Sequence, residues 1–393
     1  MRMDAASPLL LPEDHPLHRV QRVAVGVSAI ALVVCVLAGF GNLTQFLRSY
    51  LVAYVFWVGG ALGCLALLMI HHVTGGAWGV AIRRLLESGA RTLPMMAILF
   101  LPIAFGVRRL YEWAQPERVA QDPLLQHQAL YLNVPFFLAR TAFYFIAWSL
   151  VVRALTRWSL RQDASFDPLP GQRLELISRG GLLLMGLTMT FAAIDWTMSL
   201  QPHWSSTIYG VIFMGGSALT AFAVVIPVVA LLSVNPPVEG HVSNDQLSDL
   251  GKLLLAFVML WAYFSLSQFL ITWSGNLPEE ITWYLARIQG GWQWVAIAIV
   301  FFQFVLPFVL LLSHPLKRRA RSVAMVALML IVIRFVDVFW LITPAFDPSR
   351  LSVHLLDLAA VLALGGFWVW LFVRQLEGRP LLPLRDPTLP VLE

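Results

Sequence analysis

Apolar residues form ten long runs in this chain of 393 residues. Each run is about 20 residues long, which is the length that an α-helix needs to cross the hydrocarbon core of a bilayer. The pattern predicts an all-α integral membrane protein, a bundle of about ten transmembrane helices. The predicted spans lie at 20–40, 50–71, 92–111, 134–156, 176–200, 207–233, 250–274, 291–313, 321–343 and 352–375.

The segments between and around the spans predict how the chain is organised. A short segment, 1–19, precedes the first span and lacks the basic region and cleavage site of a signal peptide, so we expect that span to be retained. A polar loop after the sixth span divides the bundle, 20–376, into a six-helix part, 20–234, and a four-helix part, 248–376. We expect these parts to form one domain, followed by a tail at 377–393.

The composition excludes a soluble protein. Hydrophobic residues make up 59% of the chain and charged residues only 12%, whereas charged residues approach a quarter of an ordinary globular domain. The chain also lacks a P-loop, a GxGxxG turn, a catalytic-triad motif and a metal-ligand cluster, so we do not expect it to catalyse a reaction alone. Cys35 and Cys64 lie inside the first two spans without a CxxC motif, which excludes iron–sulfur ligation and covalent haem attachment by this chain.

Basic residues set the predicted orientation. Most of the 27 lysines and arginines fall in alternate loops, on one side of the predicted bundle. The positive-inside rule places that side, with both termini, in the cytoplasm, which requires an even number of spans. Within this set, Arg83 and Arg84 belong to a segment, 75–91, that we expect to be a short basic amphipathic piece on the cytoplasmic surface.

Ionisable residues interrupt two of the apolar runs. Asp195 lies in the fifth predicted span, and Arg334 and Asp337 lie three residues apart in the ninth. An isolated charge at membrane depth costs several kcal/mol, so such residues are paired, neutral or water-facing, and they often line proton paths. One interpretation is the outer half of a proton path in which both acids share Arg334. The alternative is a static ion-pair network that locks the helices together.

Further polar residues join the candidate site. Arg140 is expected either to reach water at the membrane surface or to pair with a buried carboxylate. The polar residues of the seventh span are expected either to hold a chain of water molecules or to form hydrogen bonds between helices. A second hypothesis places a quinone head group among Asp195, His203, Tyr263 and Asp337. The complete candidate set for the proton path is Asp195, Asp337, Arg334, Arg140, His203, Tyr263, Gln268, His354 and Asp357.

Four stretches of the chain resemble one family of membrane subunits. They are YLNVPFFLARTAFYFIAW, DWTMSLQPHWSSTIYG, SQFLITWSGNLPEEITWY and RFVDVFWLITP. They resemble the ActF subunit of bacterial alternative complex III, a quinol:cytochrome c oxidoreductase, over roughly positions 20–376. The resemblance implies an NrfD-like fold, similar to the membrane subunit of polysulfide reductase, in the bacterial cytoplasmic membrane. The motifs carry over Arg140, Asp195, His203, Tyr263, Gln268, Arg334 and Asp337, whereas His354 and Asp357 are candidates from their own spacing only.

The resemblance also implies a function and a set of partners. The chain would be a non-catalytic membrane subunit that supplies a proton path and a scaffold beside a quinone-binding sister subunit. An iron–sulfur subunit and c-type cytochrome subunits would hold the iron–sulfur clusters and haem c. No metal or other cofactor is expected in this chain, although menaquinone or ubiquinone is an alternative ligand. A direct quinone-binding subunit, an independent secondary transporter and an inert anchor stay open as other functions.

Overall fold

The computed structural model describes residues 9–164 and 167–383, in which the long regular elements are helices. The helices are α1 Pro16–Gly41, α2 Leu43–Thr74, α3 Ala77–Ala90, α4 Leu93–Leu99, α5 Leu101–Leu110, α6 Pro116–Gln121, α7 Pro123–Gln128, α8 Val134–Ala164, α9 Leu169–Trp196, α10 Tyr209–Leu232, α11 Asn244–Gly275, α12 Pro278–Leu285, α13 Trp292–Ile299, α14 Leu306–Leu312, α15 His314–Lys317, α16 Ala320–Ile342 and α17 Leu355–Arg374. A π-helical turn, Val300–Val305, joins α13 to α14.

The described part of the chain contains nine helical spans that are long and apolar enough to cross a membrane. A tenth is formed if Ala77–Leu99 and Leu101–Leu110, which meet at a bend of 53°, are counted as one span. Each span satisfies its own backbone hydrogen bonds, as a segment within a bilayer must. The protein is therefore a multi-pass membrane protein with an all-helical architecture, as the apolar runs predict.

The relative direction of α2 and α10 shows that the bent segment crosses the bundle. Gly59 of α2 faces Ser217 of α10, and Gly63 faces Ala221, so the two helices run in the same direction. Helices that run in the same direction are separated by an odd number of crossings. Because α8 and α9 supply two crossings, the segment α3–α5 supplies the third.

The expectation of a surface piece before the third span is wrong. Gly79 of α3 lies against His71 and Gly89 lies against Cys64, so α3 runs antiparallel to α2 and packs along it. All residues of α3 from Gly79 to Ala90 are buried. The third span therefore begins with α3 and includes the arginines that were expected on the cytoplasmic surface. They are tolerated there because acidic and polar side chains within the bundle pair with them.

Both described ends of the chain lie at the same end of the bundle. The Ser28 hydroxyl in α1 donates to the Ala363 carbonyl of α17 at 2.6 Å, and the Gln21 amide donates to the Trp370 carbonyl at 3.2 Å. These contacts make α1 and α17 antiparallel neighbours. The Leu381 N–H then donates to the Leu9 carbonyl at 2.8 Å. We call this end of the bundle the terminal end and the opposite end the distal end.

Small residues allow the two central helices to touch. A Cβ atom on Gly63 would lie 2.0 Å from the Ser217 carbonyl oxygen, so only glycine fits at this crossing. Small residues at such a crossing let two membrane helices approach closely. Packing around the central helices repeats, since α2 contacts α3 and α9 while α10 contacts α11 and α16. Of these helices, α9 and α16 each carry one of the aspartates singled out in the sequence.

Candidate functional site

The first buried ion pair joins α8 to α9. Asp195 is fully buried, and its two carboxylate oxygens accept hydrogen bonds from Arg140 Nε at 2.9 Å and Nη2 at 2.7 Å. The Tyr144 hydroxyl donates to the same carboxylate at 2.8 Å. Arg140 also donates to the Tyr131 carbonyl at 2.8 Å and lies over the Tyr131 and Phe136 rings, 3.8 and 4.3 Å from their centroids. Of the two expectations for Arg140, the buried ion pair is therefore correct.

Helix geometry explains why this pair forms. Asp195 lies in the last turn of α9, where the partial negative charge of the helix end disfavours a carboxylate unless a cation is close. Arg140 supplies that cation from the second turn of the antiparallel α8. The planar fork of a guanidinium matches both carboxylate oxygens, which gives a strong and rigid contact. Burial and the nearby Asp195 charge raise the pKa of Tyr131, which stays protonated beside the pair.

The second buried ion pair lies on α16. Arg334 and Asp337 are 5% and 3% exposed, and Arg334 Nη1 donates to Asp337 Oδ2. The same oxygen accepts a hydrogen bond from Gln303 Nε2 at 3.1 Å, and Arg334 Nε donates to the Thr220 hydroxyl at 3.4 Å. Gln303 belongs to the π-helical turn, a distortion that is frequent at functional sites. Three helical segments, α10, α16 and the π-helical turn, therefore meet at this pair.

The expected sharing of Arg334 by two acids is wrong. Asp195 pairs with Arg140, and Asp337 pairs with Arg334. The reason is depth along the bundle: Trp196, next to Asp195, packs against Tyr54 of α2. Arg334 instead contacts Thr220, which packs beside Gly60, so it lies about 9 Å further from the distal end at 1.5 Å per residue.

A small cavity adjoins the Arg334–Asp337 pair. Its volume is about 20 Å³, which is enough for one water molecule. Arg334 and Thr220 line one side, and Thr197 and Tyr209 line the other. Thr197 follows Asp195 by two residues at the end of α9. The cavity therefore offers a single water the Arg334 guanidinium of the second pair and the Thr197 hydroxyl group near the end of α9.

Three of the other sequence candidates lie away from these pairs. The Gln268 side chain is buried and forms hydrogen bonds with Ser206 and Thr272, so it links the 200–208 loop to α11. His203 is exposed and its Nε2 lies 2.8 Å from Asp122. Tyr263 is 65% exposed on the outer face of α11. The structure therefore does not gather Asp195, His203, Tyr263 and Asp337 into one pocket for a quinone head group.

His354 and Asp357 form a helix cap. The Leu356 N–H donates to His354 Nδ1 at 3.1 Å, and the His354 N–H donates to Asp357 Oδ2 at 2.8 Å. This reciprocal arrangement is a capping box, which satisfies free N–H groups at the start of a helix. The Ser49 hydroxyl donates to Asp357 Oδ1 at 2.5 Å and ties α17 to α2. Their spacing of three residues therefore has a structural explanation.

A third buried cluster lies near the terminal end and was missed from the sequence. Glu87 Oε1 lies 3.3 Å from Arg83 Nε, and Glu87 Oε2 accepts a hydrogen bond from Arg84 Nη1 at 2.7 Å. The Ser159 hydroxyl of α8 donates to Glu87 Oε1 at 2.5 Å, and Arg84 also pairs with Asp163. The terminal half of the bundle therefore holds buried ionisable residues as well. The spacing of Glu87, four residues after Arg83 and three after Arg84, is the signal that could have found the cluster.

A buried arginine at the distal end was also missed. Arg287 is 1% exposed and donates to the Gln201 side chain at 3.1 Å and to the Trp283 and Leu341 carbonyls at 2.9 and 2.6 Å. Its guanidinium lies 3.7 Å from the centroid of the Trp283 ring. Burial lowers the pKa of Arg287 to about 9, so the side chain is charged at neutral pH. It holds the last turn of α16, where a cation is favourable.

Comparison with known proteins adds no relative. No model of a known protein family matches the chain, and no curated protein matches it in sequence. The described residues also contain no group of three or more histidine, cysteine, aspartate or glutamate side chains placed to hold a metal ion. The functional argument therefore rests on the buried ion pairs and their geometry.

Proposed function

We propose that this chain is a membrane subunit of a bacterial quinol:cytochrome c oxidoreductase of the alternative complex III type, and that it carries protons through its bundle. The observation that carries the proposal is the Arg334–Asp337 pair, buried at mid-bundle beside a water-sized cavity. Charged groups at such depth are costly and are kept for ion or proton movement more often than for stability alone. The four motifs that resemble the ActF subunit include this pair and the Arg140–Asp195 pair.

Asp337 is the proton carrier in this proposal. A carrier must alternate between ionised and neutral forms, and its partner must have somewhere to go when the carrier is neutral. Arg334 adjoins both the Thr220 hydroxyl and the cavity, so its guanidinium can turn toward a cavity water when Asp337 takes up a proton. Arginine keeps its charge throughout, so it controls the exchange and does not carry the proton.

Asp195 has a different part. Its carboxylate receives three hydrogen bonds from two side chains, and the bidentate contact with Arg140 leaves it no second partner to exchange with. We assign it a fixed negative charge near the distal end. The Glu87 cluster lies on the far side of Arg334, toward the terminal end, and would serve protons that enter there.

The orientation follows from charge. The terminal end carries most of the basic loop residues, so the positive-inside rule places it in the cytoplasm. The NrfD-like sister subunit, the iron–sulfur subunit and the c-type cytochromes are the proposed partners. This chain contributes no redox group in the proposal, so movement of its protons depends on quinol oxidation in the sister subunit.

The test is Asp337→Asn in the purified complex reconstituted into liposomes. We expect quinol:cytochrome c electron transfer to continue while acidification coupled to turnover is lost, because the amide cannot ionise. Glu279→Gln is the matched control, since Glu279 is an exposed acid near the distal end without an ion pair. Loss of assembly, with coupling unchanged in the complex that remains, would instead favour a static lock between helices.

A second measurement tests the assignment to a complex. The tagged wild-type chain, purified from its native membrane in mild detergent, should carry haem c absorbance and iron–sulfur signals from partner subunits. An active transporter that purifies as a single haem-free subunit would rule the assignment out.

A further inference from the structure

Two arginines meet beside the end of α17 without an acidic partner. Arg91 follows α3, and its Nη2 donates to the carbonyl of Gln375, just past the end of α17. Arg379 lies in the turn that follows, where its N–H donates to the Leu376 carbonyl at 3.3 Å. The Ser88 hydroxyl fixes the two segments together by donating to the Phe372 carbonyl at 2.6 Å. Both guanidinium groups therefore face the same junction at the terminal end.

Three N–H positions of this pair have no acceptor. Arg91 Nε, Arg91 Nη1 and Arg379 Nη1 are buried without a hydrogen-bond partner. Buried charged donors are almost always paired, because leaving one unsatisfied costs several kcal/mol. Among residues 9–164 and 167–383, neither arginine forms an ion pair. The junction is therefore incomplete as a set of hydrogen bonds.

The surrounding charges do not balance either. Arg83, Arg84, Arg91 and Arg379 bring four positive charges to this region, whereas Glu87 and Asp163 bring two negative charges. Both carboxylates are already engaged by Arg84, and Glu87 also by Arg83. Arg91 and Arg379 repel each other, and burial lowers the pKa of Arg379 even though the Glu87 charge acts to raise it. An added anion would remove the repulsion and supply the missing acceptors.

We propose that Arg91 and Arg379 bind a phosphate group at the terminal end, from an anionic phospholipid headgroup or from inorganic phosphate. A phosphate brings one to two negative charges and several acceptor oxygens, and its geometry matches guanidinium groups. A water would fill one acceptor position but would leave the charge uncompensated. Basic pockets between transmembrane helices near the cytoplasmic side are typical sites for anionic headgroups.

The site does not include Arg334 or Asp337, so anion binding can be tested without electron transfer. The full-length chain is placed in nanodiscs of phosphatidylcholine alone, or with about one fifth phosphatidylglycerol, and its thermal unfolding midpoint is measured. A second series titrates inorganic phosphate at constant ionic strength in phosphatidylcholine alone. We expect an anion-dependent rise in the midpoint for the wild type. A rise with phosphatidylglycerol only assigns a headgroup, and a rise with phosphate as well assigns the free ion.

The variants are Arg91→Gln and Arg379→Gln, with Arg157→Gln as control. Arg157 is an exposed arginine of α8 near the same end, without a described side-chain contact. Each test variant should bind the anion about tenfold more weakly, since it loses one charge-assisted contact, and the control should match the wild type. Arg379→Gln should also unfold at a higher temperature than the wild type in phosphatidylcholine, because a partly buried charge with an unpaired N–H is removed.

That last result separates the proposal from a purely structural role. A structural arginine would lower the unfolding temperature in both lipids when it is replaced. If Arg91→Gln fails to fold, Arg379→Gln still decides the question, because its side chain makes no described hydrogen bond. A wild type that gains no stability from either anion, or an Arg379→Gln variant that gains as much as the wild type, overturns the proposal.

Discussion

The Gly216→Ala substitution tests the position of Arg334, because the Arg334 guanidinium packs against Gly216 of α10. A Cβ atom at Gly216 would lie 2.3 Å from Arg334 Nη2 and 2.8 Å from Cζ. The guanidinium would have to move by about 1 Å or more, because carbon–nitrogen contacts below about 3.4 Å are repulsive. Such a shift distorts the Arg334–Asp337 pair, for which loss of one partner costs about 3–5 kcal/mol. Alanine favours a helix over glycine by only about 1 kcal/mol, so we expect net destabilisation of about 1–3 kcal/mol.

The matched control is Gly186→Ala in α9. A Cβ atom there has no neighbour within 4 Å, so the substitution should be neutral or stabilising by up to about 1 kcal/mol. The assay is urea-dependent or thermal unfolding of the reconstituted chain, with proton coupling of the proposed complex as a second reading. Arg334→Lys should relieve much of the Gly216→Ala penalty, because the shorter head group leaves the site. Equal stability of the two alanine variants would refute the contact.

Other predictions follow from the remaining buried charges. Asp195→Asn should lower the free energy of unfolding by about 3–5 kcal/mol, because Arg140 loses its counter-charge, and chemical unfolding measures it. Glu87→Gln should destabilise by a similar amount, and an accompanying Arg84→Gln should restore part of the loss. For Arg287, burial lowers the pKa from its ordinary value to about 9, so above about pH 9 the unfolded chain binds more protons than the folded one. Stability should therefore rise with pH above about 9, relative to an Arg287→Met variant, in thermal unfolding scans.

The apolar pattern predicted the number of crossings, but it placed the start of the third one wrongly. Hydropathy treats Arg83, Arg84 and Glu87 as three polar residues that belong in water. In the folded chain they neutralise one another and gain Ser159 and Asp163 from α8, so the helix that carries them can be buried. Pairing between distant segments depends on helix packing, which a single-sequence pattern does not encode.

The residues of the candidate site were predicted better than their partners. Asp195, Arg334 and Asp337 are buried as expected, because an acid or an arginine within an apolar run has few other solutions. Which arginine meets which acid depends on helix rotation and depth, and a helix that is apolar on all sides gives little sign of its rotation. Tyr263 and Gln268 could have been separated, since five residues turn a helix by about 140° and place the two on different faces.

The crossing of α2 and α10 limits how this bundle can move. Where Gly63 meets the Ser217 carbonyl the two backbones are in direct contact, and neither helix can slide or rotate without a clash. Arg334 and Asp337 lie on α16, which packs on one side of α10, while Asp195 lies on α9, which packs on α2. A conformational change at the cavity would therefore involve α9 or α16 rather than the crossing of α2 and α10. A displacement of either helix would change the space beside Arg334, which is large enough for a single water.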